Sequence, residues 1–140
     1  MSELQRLVRI HYQGANAGDF DMAGSVFAED CENVSPYGTT TGVAALRQMG
    51  EAFRAAAPDN RLEARHTWEA GDTVIVEGVY TGTHTGPLAG PGGVIPPTGR
   101  SFTLPYVDIF HVRDGKVASH RIYWDNAMFL AQLGLQPAPA

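Results

Sequence analysis

A short stretch of this chain carries side chains of the kinds that proton-transfer chemistry uses: Tyr106, Asp108, Phe110, Arg121, Tyr123 and Asp125. Between them lies Asp114-Gly115, flanked by two alternating runs, which is a strong signal for a two-residue hairpin turn. A tight turn there predicts that Arg113 pairs with Lys116 and, in step, Phe110 with Ser119, Asp108 with Arg121, Tyr106 with Tyr123 and Leu104 with Asp125. Directly paired residues share a face, so this register gathers the whole set on one side of the hairpin. Two carboxylates and a guanidinium among aromatic rings suit neither a solvated face nor a dry core. A concave pocket with a few convergent polar groups accommodates both. A carboxyl desolvated by such rings is raised towards neutrality. It can then take a proton from a carbon next to a carbonyl and return it to the product. Tyr106, Tyr123, Asn33 and His84 are the candidate donors to an enolate oxygen.

The same residues also have plainer readings. Asp108 with Arg121 is a cross-strand ion pair in its simplest form, and Asp125 before Asn126 is a favoured helix N-cap. His84 reads as a loop histidine held by hydrogen bonds. The opposite face of the hairpin carries Val107, Ile109, His111, Ala118, His120, Ile122 and Trp124. It is mostly apolar, which predicts a sheet-to-sheet homodimer and structural roles for His111 and His120. His66 falls opposite Glu77 as a hydrogen-bonded pair. The five histidines show no ligand spacing, and one cysteine, Cys31, cannot build a thiolate site, so no metal is expected.

The elements that position these residues follow from periodicity and punctuation. Ser2 with Gln5 forms a capping-box pattern, and Leu4, Leu7, Val8 and Tyr12 share one face of a first helix, with Tyr12 beneath the pocket. Asp19 caps a second short helix. Residues 31–35 read as a strand and Pro36-Tyr37-Gly38 as a turn. Thr41 caps a third helix with Leu46, Met49 and Phe53 on its buried stripe. The period then changes to two. Strands at 61–70 and 73–81 flank Gly71-Asp72, strands at 100–113 and 116–124 flank Asp114-Gly115, and a short helix spans 126–133. Residues 82–99, rich in glycine and proline, read as an irregular excursion placed to cover a pocket. Helices first and strands after indicate an α+β fold, a curved antiparallel sheet wrapped around the N-terminal helices.

With 140 residues, 44% of them hydrophobic and 18% charged, the chain suits one globular domain, placed at 1–134 with a flexible tail at 135–140. The net charge of −5 leaves no basic stripe for nucleic acid. No apolar run approaches the ~18 residues of a membrane span, and a cytoplasmic location is expected.

The segments TGTHTG at 81–86, PPTGR at 96–100, VDIFHVRDGKV at 107–117 and YWDNAMFLAQLG at 123–134 resemble the SnoaL-like polyketide cyclase (ester cyclase) family of the nuclear transport factor 2-like superfamily. The resemblance runs from about residue 4 to residue 134. It implies a cone-shaped α+β barrel with a deep pocket for a small hydrophobic substrate, a dimer or tetramer, and no cofactor. It also implies an intramolecular aldol condensation, with Asp125 as general acid/base at the end of the last strand. Where members often carry Trp on that strand, this chain has Arg121. Asp108, Arg121 and Asp125 are similar, too, to the Asp-Arg-Asp arrangement of limonene epoxide hydrolases. The superfamily also includes non-catalytic binders of small apolar ligands.

Overall fold

The computed structural model describes residues 2–90 and 92–135. Helix α1 (Glu3–Ala17) starts where Ser2 accepts the Gln5 amide, and it stops at Gly18, whose φ of 71° lets the chain turn away. Asp19 accepts the Met22 amide and opens the short α2 (Phe20–Gly24). Strands β1 (Phe27–Ser35) and β2 (Gly38–Thr41) follow, then α3 (Val43–Ala56). The N-cap of α3 is Gly42, with no side-chain cap bond, rather than the expected Thr41. Thr41 is still extended, paired with Glu32 on β1, so its side chain is not free to cap.

Strands β3 (Arg61–Ala70) and β4 (Thr73–Thr83) form the first long hairpin, and β7 (Ser101–Arg113) and β8 (Lys116–Trp124) the second. Asp114 and Gly115 both take positive φ, 54° and 76°, as the turn chemistry predicts. Helix α4 (Asn126–Gln132) closes the described chain. The segment expected to be irregular holds a small hairpin, β5 (Leu88–Gly90) and β6 (Gly93–Ile95). Leu88 is buried against Ala56 and Ala57, and the Thr85 and Gly86 amides both donate to the Ala56 carbonyl. This excursion therefore seals the C-terminal end of α3, and none of its described residues lines the interior cavity. Beyond Leu135, the expected tail lies outside the described residues.

The main sheet has six strands in the order β2-β1-β8-β7-β4-β3. All neighbours are antiparallel except β1 and β8, which run parallel. The helices pack on one face. Two apolar clusters form there, one around Leu7, Phe27, Val76 and Phe110, the other around Leu88, Phe102, Leu104 and Phe129. Tyr80 and Trp124 touch both, and the space between is the interior cavity.

One detail of the second hairpin decides which residues reach that cavity. Val112 pairs with Val117, as a tight turn requires, but His111 pairs with Ser119, so Ala118 is an extra residue on β8. Beyond this bulge every expected pair is shifted by one. Phe110 faces His120, Asp108 faces Ile122 and Tyr106 faces Trp124. A one-residue shift exchanges the faces of a strand, so His120, Ile122 and Trp124 point inward while Arg121 and Tyr123 point outward. The expected gathering of Asp108 with Arg121, Tyr123 and Asp125 is thereby overturned.

Candidate functional site

Under the helices lies a cavity of about 120 Å³, lined mostly by apolar side chains from α1, α2, α3, β3, β4, β7, β8 and α4. An apolar cavity of roughly 150 Å³ admits benzene, so the enclosed space takes about one ring and a larger ligand extends to the mouth. Polar side chains meet the cavity at His11, Tyr106 and His120, at Asn60 and Tyr80, and at Asn16 and Arg47, the last two bonded to Leu62 and to Glu51 and Asp21.

Behind the first group is a fully buried carboxylate. Asp108 is 1% exposed, and both of its oxygens are bonded. The Tyr12 hydroxyl donates to Oδ2 at 2.6 Å, and His120 Nε2 donates to Oδ1 at 2.8 Å. The Tyr106 hydroxyl donates in turn to the Tyr12 hydroxyl at 2.9 Å. Tyr12 lies at the core beneath the cavity, as its helical spacing predicts. Burial and the neighbouring Asp108 push its hydroxyl far above the usual phenol range, and burial likewise raises Tyr106. Gly78 makes the arrangement possible, because a Cβ there would stand 2.5 Å from the Tyr106 hydroxyl.

The imidazole tautomers follow from these bonds. His120 spends its Nε2 proton on Asp108, which leaves Nδ1 as the lone-pair nitrogen of the neutral ring. Phe110 stacks on the ring with centroids 4.8 Å apart. His11 donates from Nδ1 to the Ala23 carbonyl at 2.9 Å, leaving Nε2 as an acceptor. Gly14 lets α2 approach closely enough to bring that carbonyl in, since a Cβ at position 14 would stand 2.4 Å from the Ala23 amide nitrogen. Burial first, then the neighbouring His120, lower the His11 pKa to about 4, so His11 is neutral near pH 7.

The residues expected at the site divide accordingly. Tyr106 lines the cavity and Asp108 stands directly behind it. Arg121 lies on the outer face, exposed and bonded to Glu32 Oε1 at 2.8 Å. Tyr123 is 45% exposed on the same face. Asp125 is exposed and accepts the Met128 amide at 3.0 Å as the N-cap of α4; it borders an outer cleft with His66, Glu77 and Tyr123, not the interior cavity. The Asp-Arg-Asp convergence needed for epoxide hydrolysis is therefore absent. Asn33 is buried, but its amide is spent on the Gly42 carbonyl and Thr40, away from the cavity. His84 is buried and holds the excursion through Thr98, which supports its structural reading. His66 stands opposite Glu77 in the β3–β4 register, but the expected side-chain hydrogen bond between them is not formed; the His66 ring stacks on Trp68 instead. Among the described residues, no three His, Cys, Asp or Glu side chains group as metal ligands.

His120 and His11 are the site residues that sequence reasoning missed. For His11 the signal was present, because it sits four residues after Leu7 on the buried stripe of α1. For His120 it was a parity break. The inward apolar residues of β8 are Val117, then Ile122 and Trp124, odd before even, and only an extra residue between them allows both.

A SnoaL-like polyketide cyclase family model matches residues 5–133. Nogalonic acid methyl ester cyclase of Streptomyces nogalater is 35% identical over 99 residues, covering 70% of this chain and 71% of that protein. Among solved structures, AclR of Streptomyces galilaeus superposes with a TM-score of 0.84 at 24% identity, covering 100% of this chain and 86% of that one. IdmH of Streptomyces antibioticus gives a TM-score of 0.79 at 26% identity, with 95% and 99% covered. Among the described residues, no helix is long and apolar enough to cross a membrane.

Proposed function

Because the chain belongs to the SnoaL-like polyketide cyclase family, we propose that it catalyses an acid/base reaction on a hydrophobic carbonyl compound, an aldol-type cyclisation or isomerisation, with His120 as the proton carrier. The observation that carries this reading is that two groups at the cavity wall, His120 and Tyr106, are tied to one buried carboxylate, Asp108. His120 Nδ1 takes a proton from the carbon beside a carbonyl, and the resulting enolate carbon attacks a second carbonyl of the same molecule. The imidazolium then returns its proton to the new alkoxide. Asp108 holds the tautomer that leaves Nδ1 free and stabilises the imidazolium between the two transfers. Tyr12 fixes the carboxylate, and Tyr106 fixes Tyr12. The competing proposal gives the acid/base role to Asp125, with substrate in the outer cleft; a third makes the protein a binder alone.

The three separate in one experiment: deuterium exchange at the α-carbon of 2-tetralone in D₂O, followed by NMR. The wild-type protein is expected to accelerate exchange, Asp125→Asn to match it, and His120→Phe to lose about a hundredfold or more. The reverse pattern of the two variants transfers the role to Asp125, and no acceleration by the wild type leaves the binder.

The outer face supports a second proposal, a homodimer through the sheet. Trp68 is 51% exposed there and Tyr123 45%, with the half-buried Ile75, Val107 and Ile109 on the strands between them. The face is less apolar than expected, because Ile122 and Trp124 turn inward.

A further inference from the structure

Two polar groups of residues at the cavity wall have opposite proton inventories. Beside His120 every donor is spent: Tyr106 on Tyr12, Tyr12 on Asp108, His120 Nε2 on Asp108, and His11 Nδ1 on the Ala23 carbonyl. What these groups still offer a ligand is lone pairs, on His120 Nδ1 and His11 Nε2. The other region is Asn60, in the turn between α3 and β3, with Tyr80 on β4. Asn60 Nδ2 donates to the Tyr80 hydroxyl at 2.7 Å, while Asn60 Oδ1 is buried without a partner and the hydroxyl proton finds no acceptor among the described residues. Turning the amide over lets Tyr80 donate to Oδ1 but leaves the NH₂ group unspent. In either orientation the pair holds a donor that it does not use. Arg54 is close enough for its charge to act on the Tyr80 hydroxyl, with Nη2 donating to the Ala15 and Asn16 carbonyls, Nη1 to the Pro58 carbonyl, and Nε buried without a partner. This is a setting that favours negative charge density on whatever the pair binds.

We propose that Asn60 and Tyr80 form a specificity subsite that reads an acceptor oxygen of the substrate, a ketone or ester carbonyl, at the end of the cavity away from His120. This rests on the reading of the cavity as the substrate site. Position follows from the sheet. His120 pairs with Phe110 and Tyr80 with Leu104, so the two rows are offset along β7 by the span from 110 to 104. Between them lie Ile122 and Trp124, which offer an apolar body no hydrogen bond, the Trp124 Nε1 proton being spent on Asn126. The substrate class is therefore an extended hydrophobic molecule with a carbonyl at the far end from its acidic carbon. The donor end accepts such an oxygen, which favours the orientation that leaves the acidic carbon at His120.

The test compares two probes of one shape, 2-acetylnaphthalene and 2-isopropenylnaphthalene, which differ in C=O against C=CH₂. Binding is read by quenching of tryptophan fluorescence, Trp124 being at the cavity wall. The wild-type protein is expected to bind the ketone about tenfold more tightly, the worth of one buried hydrogen bond. Asn60→Asp keeps the shape but gives Tyr80 a carboxylate to donate to, so the preference disappears. Asn60→Leu with Tyr80→Phe removes it by a second route. Equal binding of the two probes by the wild type, or a preference that survives both the Asn60→Asp and the double variant, overturns the proposal. The readout needs no turnover, so it stands apart from whether His120 moves protons.

Discussion

The inner and outer faces of β7 and β8 are built from alternating residues of the same two strands, yet they hold their charges in opposite ways. Inside, Asp108 is 1% exposed and bonded on both oxygens. Outside, Arg121 reaches Glu32 across exposed surface, and Asp125 caps a helix in contact with solvent. Water screens the outer charges and makes their pairing worth little. The inner carboxylate has no such screen, so its partners decide the state of every group attached to it. The difference is what supports the two proposals, chemistry on the inner face and assembly through the outer one.

The largest break in that contrast is expected from Asp108→Asn. The amide cannot accept from both His120 and Tyr12 as the carboxylate does, so the His120 tautomer that frees Nδ1 loses its support. Proton exchange should fall at least a hundredfold, and urea unfolding should show a loss of about 3 kcal/mol or more. If both are unchanged, the inner face is no more demanding than the outer.

An intermediate effect is expected from pH. The folded-state pKa of His11 lies at about 4, below the ordinary value of 6.5, so the folded protein binds fewer protons than the unfolded chain between those values. Stability is therefore complete above about pH 6.5 and declines as pH falls towards 4. This one residue accounts for ~3 kcal/mol of the decline. Denaturant titrations at stepped pH should show the slope in the wild type and a flatter curve in His11→Phe.

The smallest effect on chemistry is expected outside. Trp68→Glu should leave proton exchange unchanged and convert a dimer to a monomer in sedimentation. A wild-type monomer removes the assembly role of the outer face, and lost exchange in a folded variant removes the division between faces.

Much of the fold was legible because it rests on local rules. Ser2, Asp19 and Asp125 cap the helices that their positions suggest, and Asp114-Gly115 turns the hairpin. The SnoaL-like resemblance was legible from motifs spread over nearly the whole chain, and the family match covers the same span. The candidate site was legible only in part. Tyr106, Asp108 and Tyr12 were placed near the cavity, because β7 keeps a strict alternation and α1 a clean stripe. The tight-turn register puts His120 outward because it runs straight through Ala118, whereas the parity of Val117 against Ile122 and Trp124 marks an extra residue there. The hairpin at 88–95 escaped because its strands are very short, and Leu88 is held by α3 rather than by any local pattern.

The extra residue at Ala118 also bears on how such cavities diverge. Loss of one codon there would bring Arg121 and Tyr123 to the inside and send His120 and Trp124 out, while the turn, the strand order and the helices above stayed as they are. Substitutions change a pocket one group at a time. An insertion or deletion beside this hairpin exchanges half its lining in a single step, and gives descent within one fold an abrupt route from one chemistry to another.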